Sequence, residues 1–255
     1  MIRDNADKLM YYVCQDRQEM GSVAAKLAAD KIKQALTEKE EVRIVFAAAP
    51  SQLEFLEGLT QDNSIDWSRI VGFHMDEYVG LTDYPDQRFA LFIQKYIANK
   101  VPLKAMHYFD SLADPEEEAE RYTALLQEAP IDLVCLGIGE NGHIAFNDPP
   151  VADFDDPVLV KQVTLDQICR QQQVNDGCFP AIEEVPLTAW TLTIPALVSA
   201  HSMVCVVPGE RKAQAVYDML QGDISTACPA SILRKHHDAH LIVDTEAFGA
   251  IANER

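Results

Sequence analysis

Five short runs in which nearly every residue is apolar punctuate the chain: Val42 to Phe46, Arg69 to His74, Ile131 to Leu136, Ser202 to Val207 and His240 to Asp244. Runs of this length without polar alternation are the pattern of strands covered on both faces, as in a parallel sheet. Between them the apolar positions recur every three or four residues, the helical period. Ala24, Ala25, Leu27, Ala28, Ile32, Ala35 and Leu36 mark an amphipathic helix within residues 16–38, and Leu53, Phe55, Leu56 and Leu59 mark a second. Phe89 to Ile97 and Ala213 to Gln221 read as helices, while the Glu-rich Pro115 to Leu126, opened by Asp114-Pro115, predicts an exposed one. Val158 to Thr164 and Val185 to Ile194 have strand composition, with a short helix following through Ser199. The polar stretch Asp166 to Asp176 predicts a surface helix, and Cys228 to Leu233 a loop entering a helical turn. Strand and helix alternate throughout, with no repeat or linker. The expectation is an α/β fold: one domain over residues 1–255, an open, mostly parallel, doubly wound sheet with helices on both faces, of modified Rossmann-like type.

In such sheets ligands bind where the strands end, because loops there line a crevice while the strands stay packed. Candidate chemistry falls at those ends. The run Ile131 to Leu136 empties into Gly137-Ile138-Gly139-Glu140-Asn141-Gly142-His143-Ile144-Ala145-Phe146-Asn147-Asp148, three glycines, a histidine and a carboxylate in one turn. Arg69 to His74 empties into Met75-Asp76-Glu77-Tyr78-Val79-Gly80-Leu81. Adjacent acids most often form a solvated surface, but their place after an apolar strand argues for a site. Val42 to Phe46 leads into Ala47-Ala48-Ala49-Pro50-Ser51-Gln52, where Pro50 suits a first helical turn and the free N–H groups of a helix start can hold an anion. Lys212 follows Pro208-Gly209 at the start of another helix, where a cation opposes the macrodipole unless it faces an anion.

Composition narrows the class. The 255 residues are 48% hydrophobic and 24% charged, ordinary for a globular chain with a sizeable core. Forty acidic against 21 basic residues give a net charge of −19, which repels a nucleic-acid backbone, so no nucleic-acid partner is expected. The six cysteines lack CxxC spacing and several lie in apolar runs, so neither a zinc site nor a disulfide framework is indicated. The opening residues Met1-Ile2-Arg3-Asp4-Asn5 contain no apolar signal core and no run is long enough to span a membrane, so a soluble cytoplasmic protein without a membrane partner is the expectation.

Three stretches together, Phe73 to Leu81, Leu136 to Asn147, and Lys212 after Val207-Pro208-Gly209, resemble the glucosamine-6-phosphate deaminases, also called isomerases. The resemblance extends from the strand at Val42 through Cys228-Pro229-Ala230-Ser231 to the last strand. The related 6-phosphogluconolactonases share the fold and a glycine-rich histidine loop, but theirs typically continues with Thr-Ala-Ser, whereas Ile144-Ala145-Phe146-Asn147-Asp148 and Asp76 to Leu81 match the deaminase form.

The resemblance implies conversion of glucosamine 6-phosphate to fructose 6-phosphate and ammonia, without metal or redox cofactor. It assigns Asp76 as the base moving a proton from C2 to C1, His143 to ring opening, and Asp148 to holding that imidazole. Asn141 stands where the family has an aspartate, and Asp148 where it has glutamate. Ala48, Ala49 and Ser51 replace a Thr-Gly-Gly-Thr type phosphate loop. Glu77 and Gly142 fall within the binding motifs, Glu77 more as a supporting residue. A family arginine that contacts phosphate, in a Ser-Arg-Phe sequence, aligns near Asn175 and is absent. Lys212 remains, with Arg170 and Arg88 as candidates for the missing charge. A sugar phosphate is the implied small-molecule partner, and the family's monomers and hexamers leave a homo-oligomer open. Two other readings keep the pocket: a 6-phosphogluconolactonase-type lactone hydrolase, and a non-catalytic sugar phosphate sensor.

Overall fold

The computed structural model describes residues 1–252. Its strands are β1 (Ile2–Ala6), β2 (Leu9–Cys14), β3 (Val42–Phe46), β4 (Ile70–His74), β5 (Asp76–Tyr78), β6 (Ala105–His107), β7 (Leu133–Leu136), β8 (Val160–Thr164), β9 (Thr188–Leu192), β10 (Ser202–Val207) and β11 (Ala239–Asp244). The helices are α1 (Arg17–Glu38), α2 (Leu53–Thr60), α3 (Phe89–Ile93), α4 (Pro115–Gln127), α5 (Gln167–Asn175), α6 (Ile194–Val198), α7 (Ala213–Gln221) and α8 (Gly249–Ala252). No helix among the described residues is long and apolar enough to cross a membrane.

Eight strands form one sheet in the order β1-β2-β11-β10-β7-β3-β4-β6. Every pairing in it is parallel except the β1–β2 hairpin. The five apolar runs are its central strands, and the period of two explains their composition. Val45, Phe73, Val134, Cys205 and Leu241 face one layer of core with α4, α6 and α7. Ile44, Phe46, Cys135, Val204 and Ile242 face the other, against α1 and α2. A strand buried on both faces tolerates no polar alternation, since each fully buried Phe, Leu or Ile contributes about 1.5–3 kcal/mol that an exposed one would forfeit.

The chain runs from β3 outward to β4 and β6, then returns to the far side of β3 as β7 and proceeds to β10 and β11. That reversal between β3 and β7 is the topological switch point, where the diverging loops leave a crevice. The structure also departs from a single sheet. β5, β8 and β9 form a separate antiparallel sheet in the order β5-β9-β8 over a third apolar cluster that includes Tyr78, Phe146, Cys169 and Phe179. Only Met75 separates β4 from β5, so the chain passes from one sheet into the other there, and the Leu192 N–H clips the joint by donating to the Met75 carbonyl at 2.8 Å.

Candidate active site

The loop after β7 is built around its histidine. Gly139 donates its N–H to the His143 carbonyl at 2.9 Å, and the imidazole packs so closely that a Cβ on Gly139 would lie 2.1 Å from the ring. Gly142 turns the chain at φ +78°, and a side chain there would meet the Cys228 sulfur at 2.6 Å. Its carbonyl accepts from the Ala230 N–H, anchoring the turn on the loop before β11. Ala145 sits at φ 48°, a left-handed conformation costing about 1–3 kcal/mol that the surrounding packing must over-determine. The result is a histidine fixed by close contact, only 8% exposed.

A hydrogen-bond network fixes its tautomer. His143 Nδ1 lies 2.7 Å from Asn141 Oδ1 and 2.8 Å from Asp148 Oδ1, both acceptors, so Nδ1 carries the hydrogen of the neutral ring. Asn141 completes the triangle: its Nδ2 donates to Asp148 Oδ1 at 3.0 Å and its Oδ1 also accepts from the His143 N–H. Nε2 is thereby left with its lone pair for chemistry. Burial would raise the Asp148 carboxyl, but the His143 bond and charge, with the Asn141 amide, outweigh it and hold the carboxyl below its usual range. Behind it the Cys169 thiol, pushed up strongly by burial and by the Asp148 charge, stays protonated. Its sulfur and the His143 and Asp148 heteroatoms lie within 4.8 Å of one another, the one such potential ligand triplet among the described residues.

Asp76 and Glu77 occupy the same strand and, by the period of two, opposite faces. Asp76 lines the crevice, 8% exposed, and burial, reinforced by Glu77, raises its carboxyl well above the usual range. Glu77 points away under α3, where its oxygens accept the N–H groups of Tyr78, Phe89 and Ala90 at 2.8–3.0 Å. It caps that helix, and burial outweighs those donors to push it up to about 7. Glu77 is therefore structural and not a binding residue of the crevice.

One residue joins the two halves. Thr191 pairs with Asp76 in the β5–β9 register, while its hydroxyl oxygen accepts the Phe146 N–H at 3.0 Å and the Asn147 amide at 3.3 Å, both in the His143 loop. Asn147 donates also to the Leu192 and Ile144 carbonyls. The base candidate, by strand pairing, and the imidazole candidate's loop, by the hydroxyl, are thus tied to a single fully buried residue.

Asp76 and His143 face a crevice of about 370 Å³ that is also lined by Ala48, Ala49, Ser51 and Lys212. The turn Pro50–Gln52 runs into α2, so the helix starts at the crevice, with Gln52 Nε2 donating to Ser51 Oγ at 3.1 Å. Lys212 is 8% exposed and its ammonium has no hydrogen-bond partner among the described residues. Burial lowers it to about 8, against the pull of Asp176 and Glu140. Asn141 and Asp148 act from behind His143, and Gly142 shapes the turn; none of the three lines the crevice.

Arg170 does not reach the crevice. Its guanidinium is spent on the Ile182 and Val185 carbonyls at 2.5 and 3.0 Å, holding the segment before β9. Arg88 likewise turns back to the Pro85 carbonyl. Instead α5 presents Gln172, Gln173 and Asp176, and the cations beside Lys212 are Arg211 and, from the start of α1, Arg17. Arg211 had a signal, its adjacency to Lys212. Arg17 had none, because only tertiary packing brings it there.

Compared with known proteins, residues 15–163 match the model of a family described as glucosamine-6-phosphate isomerases/6-phosphogluconolactonase. A glucosamine-6-phosphate deaminase of Exiguobacterium sibiricum is 33% identical over 96% of this chain and 94% of its own length. One of Bacillus cereus is 34% identical over 95% and 90%. Among solved structures, a monomeric glucosamine-6-phosphate deaminase superposes with a TM-score of 0.84 at 29% identity, covering 94% of this chain and 99% of that one. A 6-phosphogluconolactonase from Thermotoga maritima, 21% identical with a TM-score of 0.75 over 92% and 98%, shares the fold.

Proposed function

The chain belongs to the family of glucosamine-6-phosphate isomerases and 6-phosphogluconolactonases, and on that premise we infer that it is a glucosamine-6-phosphate deaminase, converting glucosamine 6-phosphate and water to fructose 6-phosphate and ammonia. The observation that carries this reading is the pair facing one crevice: a buried, uncharged-leaning carboxyl on Asp76 and an imidazole on His143 held with Nε2 free.

The sugar phosphate lies along the crevice with its phosphate against Ser51, the start of α2 and Lys212, where free N–H groups and a cation await an anion. Neutral His143 Nε2 takes the anomeric hydroxyl proton and returns it to the ring oxygen, opening the pyranose to the aldehyde. Asp148 and Asn141 are positioning residues here: they hold the Nδ1–H and support the transient imidazolium charge. Asp76 then takes the C2 proton while the C2 ammonium passes one of its own to the aldehyde oxygen, leaving a neutral enolamine, and Asp76 delivers its proton to C1. The C2–N bond is now an imine, and water adds to it to give the ketone and release ammonia. A carboxyl raised above its usual range suits both halves of this transfer, because the stronger base is returned as a usable acid near neutrality. The substrate's own C2 ammonium is the charge that ionises it on binding.

The test is to incubate the protein with glucosamine 6-phosphate and measure ammonia and fructose 6-phosphate together. Equal amounts of both are expected. Acid formed from a 6-phosphogluconolactone with no ammonia from the amino sugar would select the lactonase instead, and binding without any turnover the sensor.

A further inference from the structure

Three cations line the crevice, and they are engaged differently. Lys212 has no hydrogen-bond partner for its ammonium among the described residues. Arg17 is locked, its Nε and Nη2 each 2.9 Å from the two Glu54 oxygens and Nη2 also donating to the Pro50 carbonyl. Arg211 is held end-on: Nη2 meets Asp176 Oδ1 at 2.6 Å, Nη1 lies 3.3 Å from Glu140 Oε1, and the side chain is 52% exposed. The two ends of that pair are both misplaced for their helices. Asp176 caps the C-terminus of α5 and Arg211 precedes the N-terminus of α7, each opposing the local macrodipole. Neither charge serves its own helix, and both line the crevice beside Lys212.

Given the sugar phosphate reading above, the geometry points to Arg211 as a phosphate-clamping, specificity-determining residue that Asp176 holds in reserve until a phosphoryl dianion takes the guanidinium from it. The Arg211 side of the pair is 52% exposed, so solvent screens the attraction and the pair is weakly held. A phosphoryl group offers the guanidinium fork two oxygens and more charge than a carboxylate, and Lys212 on the adjacent position adds a second cation to the same anion. Arg211 also reaches Glu140, three residues before His143, and the Glu140 N–H donates to Gln172 of α5 at 2.9 Å. The exchange therefore takes place at a joint between α5, α7 and the histidine loop.

A purely structural Arg211–Asp176 pair and a clamp predict different signs. Breaking a structural pair from either side perturbs the same contact, so both variants weaken binding. Removing a clamp weakens binding, whereas removing the carboxylate that competes for it strengthens binding. The experiment is calorimetric titration of the full chain with glucosamine 6-phosphate, and separately with inorganic phosphate, at pH 6.5, below the value near 8 of Lys212 so that its ammonium stays charged in every variant. Arg211→Ala is expected to weaken both ligands about 10- to 100-fold, the range for losing one charge-assisted hydrogen bond. Asp176→Ala is expected to tighten both by about threefold or more, and Arg211→Lys, which keeps the charge without the fork, to fall between wild type and Arg211→Ala. Where turnover is measured, the Arg211→Ala loss falls on KM more than on kcat. Changes of the same sign in Arg211→Ala and Asp176→Ala, an unchanged affinity in Arg211→Ala, or wild-type affinity in Arg211→Lys, which would leave only a diffuse effect of charge, overturn the clamp. If ammonia is never released yet the opposite signs hold, the deaminase reading falls and the clamp stands; if ammonia is released and the signs agree, the reverse.

Discussion

The two ends of the crevice are built on opposite plans. At the catalytic end His143 Nδ1, the Asn141 amide and the Asp148 carboxylate already have their partners, leaving only Nε2 open, and the loop is pinned by glycine contacts and by Thr191. At the phosphate end a buried ammonium has no hydrogen-bond partner among the described residues, and Arg211 is parked on a neighbour. The contrast separates two costs of catalysis. Groups that move protons must be placed before substrate arrives, since reorganising them during the reaction raises the barrier. Groups that grip a phosphate can be left incomplete, because the ligand itself supplies the missing charge.

Substitutions test that division from its strongest point downward. Asp76→Asn removes the group that carries the C2 proton, and kcat is expected to fall by about 10³-fold or more in an ammonia-release assay while substrate affinity changes little. The same change stabilises the free protein. Asp76 is raised in the fold above its unfolded value of 3.8, so the folded state binds the extra proton and wild-type stability declines as pH rises through that interval. Asparagine has no such decline, and thermal melts at pH 4 and pH 7 should show Asp76→Asn gaining on wild type at the higher pH.

Asp148→Asn is expected to lower kcat by roughly 10²- to 10³-fold, because an amide in that place can present a donor to Nδ1 and release the tautomer. Here the stability sign reverses: Asp148 is depressed in the fold, so its contribution is full above the unfolded value of 3.8 and is lost as pH falls through the folded one. Equal kcat in Asp148→Asn and wild type would break the claim that the catalytic end is pre-set.

At the other end, Lys212→Met should raise KM for glucosamine 6-phosphate by about 10- to 100-fold with a smaller change in kcat. Wild-type phosphate affinity should itself decline above pH 8, as the ammonium, lowered to about 8 by burial, loses its proton. Smallest of the four, Thr191→Val keeps the shape and removes the hydroxyl that two donors of the histidine loop share. About 1–3 kcal/mol of stability is expected to go, read as a lower melting temperature, with a kcat loss of about tenfold from misalignment.

Legibility in the sequence followed burial. The central strands declared themselves because both faces are covered, and Asp76, His143 and Asp148 stood out because they end such strands. The small sheet was legible only in part: Val158 to Thr164 and Val185 to Ile194 read as strands and are β8 and β9, but β5 gave no such sign. β5 is only Asp-Glu-Tyr, acids of poor strand propensity, and its pairing partner Thr191 lies more than a hundred residues away. In the β1–β2 hairpin only β1 lacks a signal, being exposed almost throughout without an apolar pattern, whereas β2, Leu-Met-Tyr-Tyr-Val-Cys, is an apolar run that the sequence does display. Arg170 misled because the stretch around it is mostly polar and its few apolar residues, Ile168, Cys169 and Val174, set no clear period, so nothing indicated which face of α5 turns inward. Glu77 could be suspected as structural but not placed, since its three donors come from Tyr78 and from the start of α3.

The Thr191 link has a consequence for how this chain can drift in sequence. Asp76 and the His143 loop are referenced to β9 and, through it, to each other. A displacement of β9 carries both along as a common-mode error, leaving their separation intact. Mutations that shift the small sheet as a body are therefore filtered out of the catalytic geometry, whereas those that stretch the span between β9 and either partner pass straight into it.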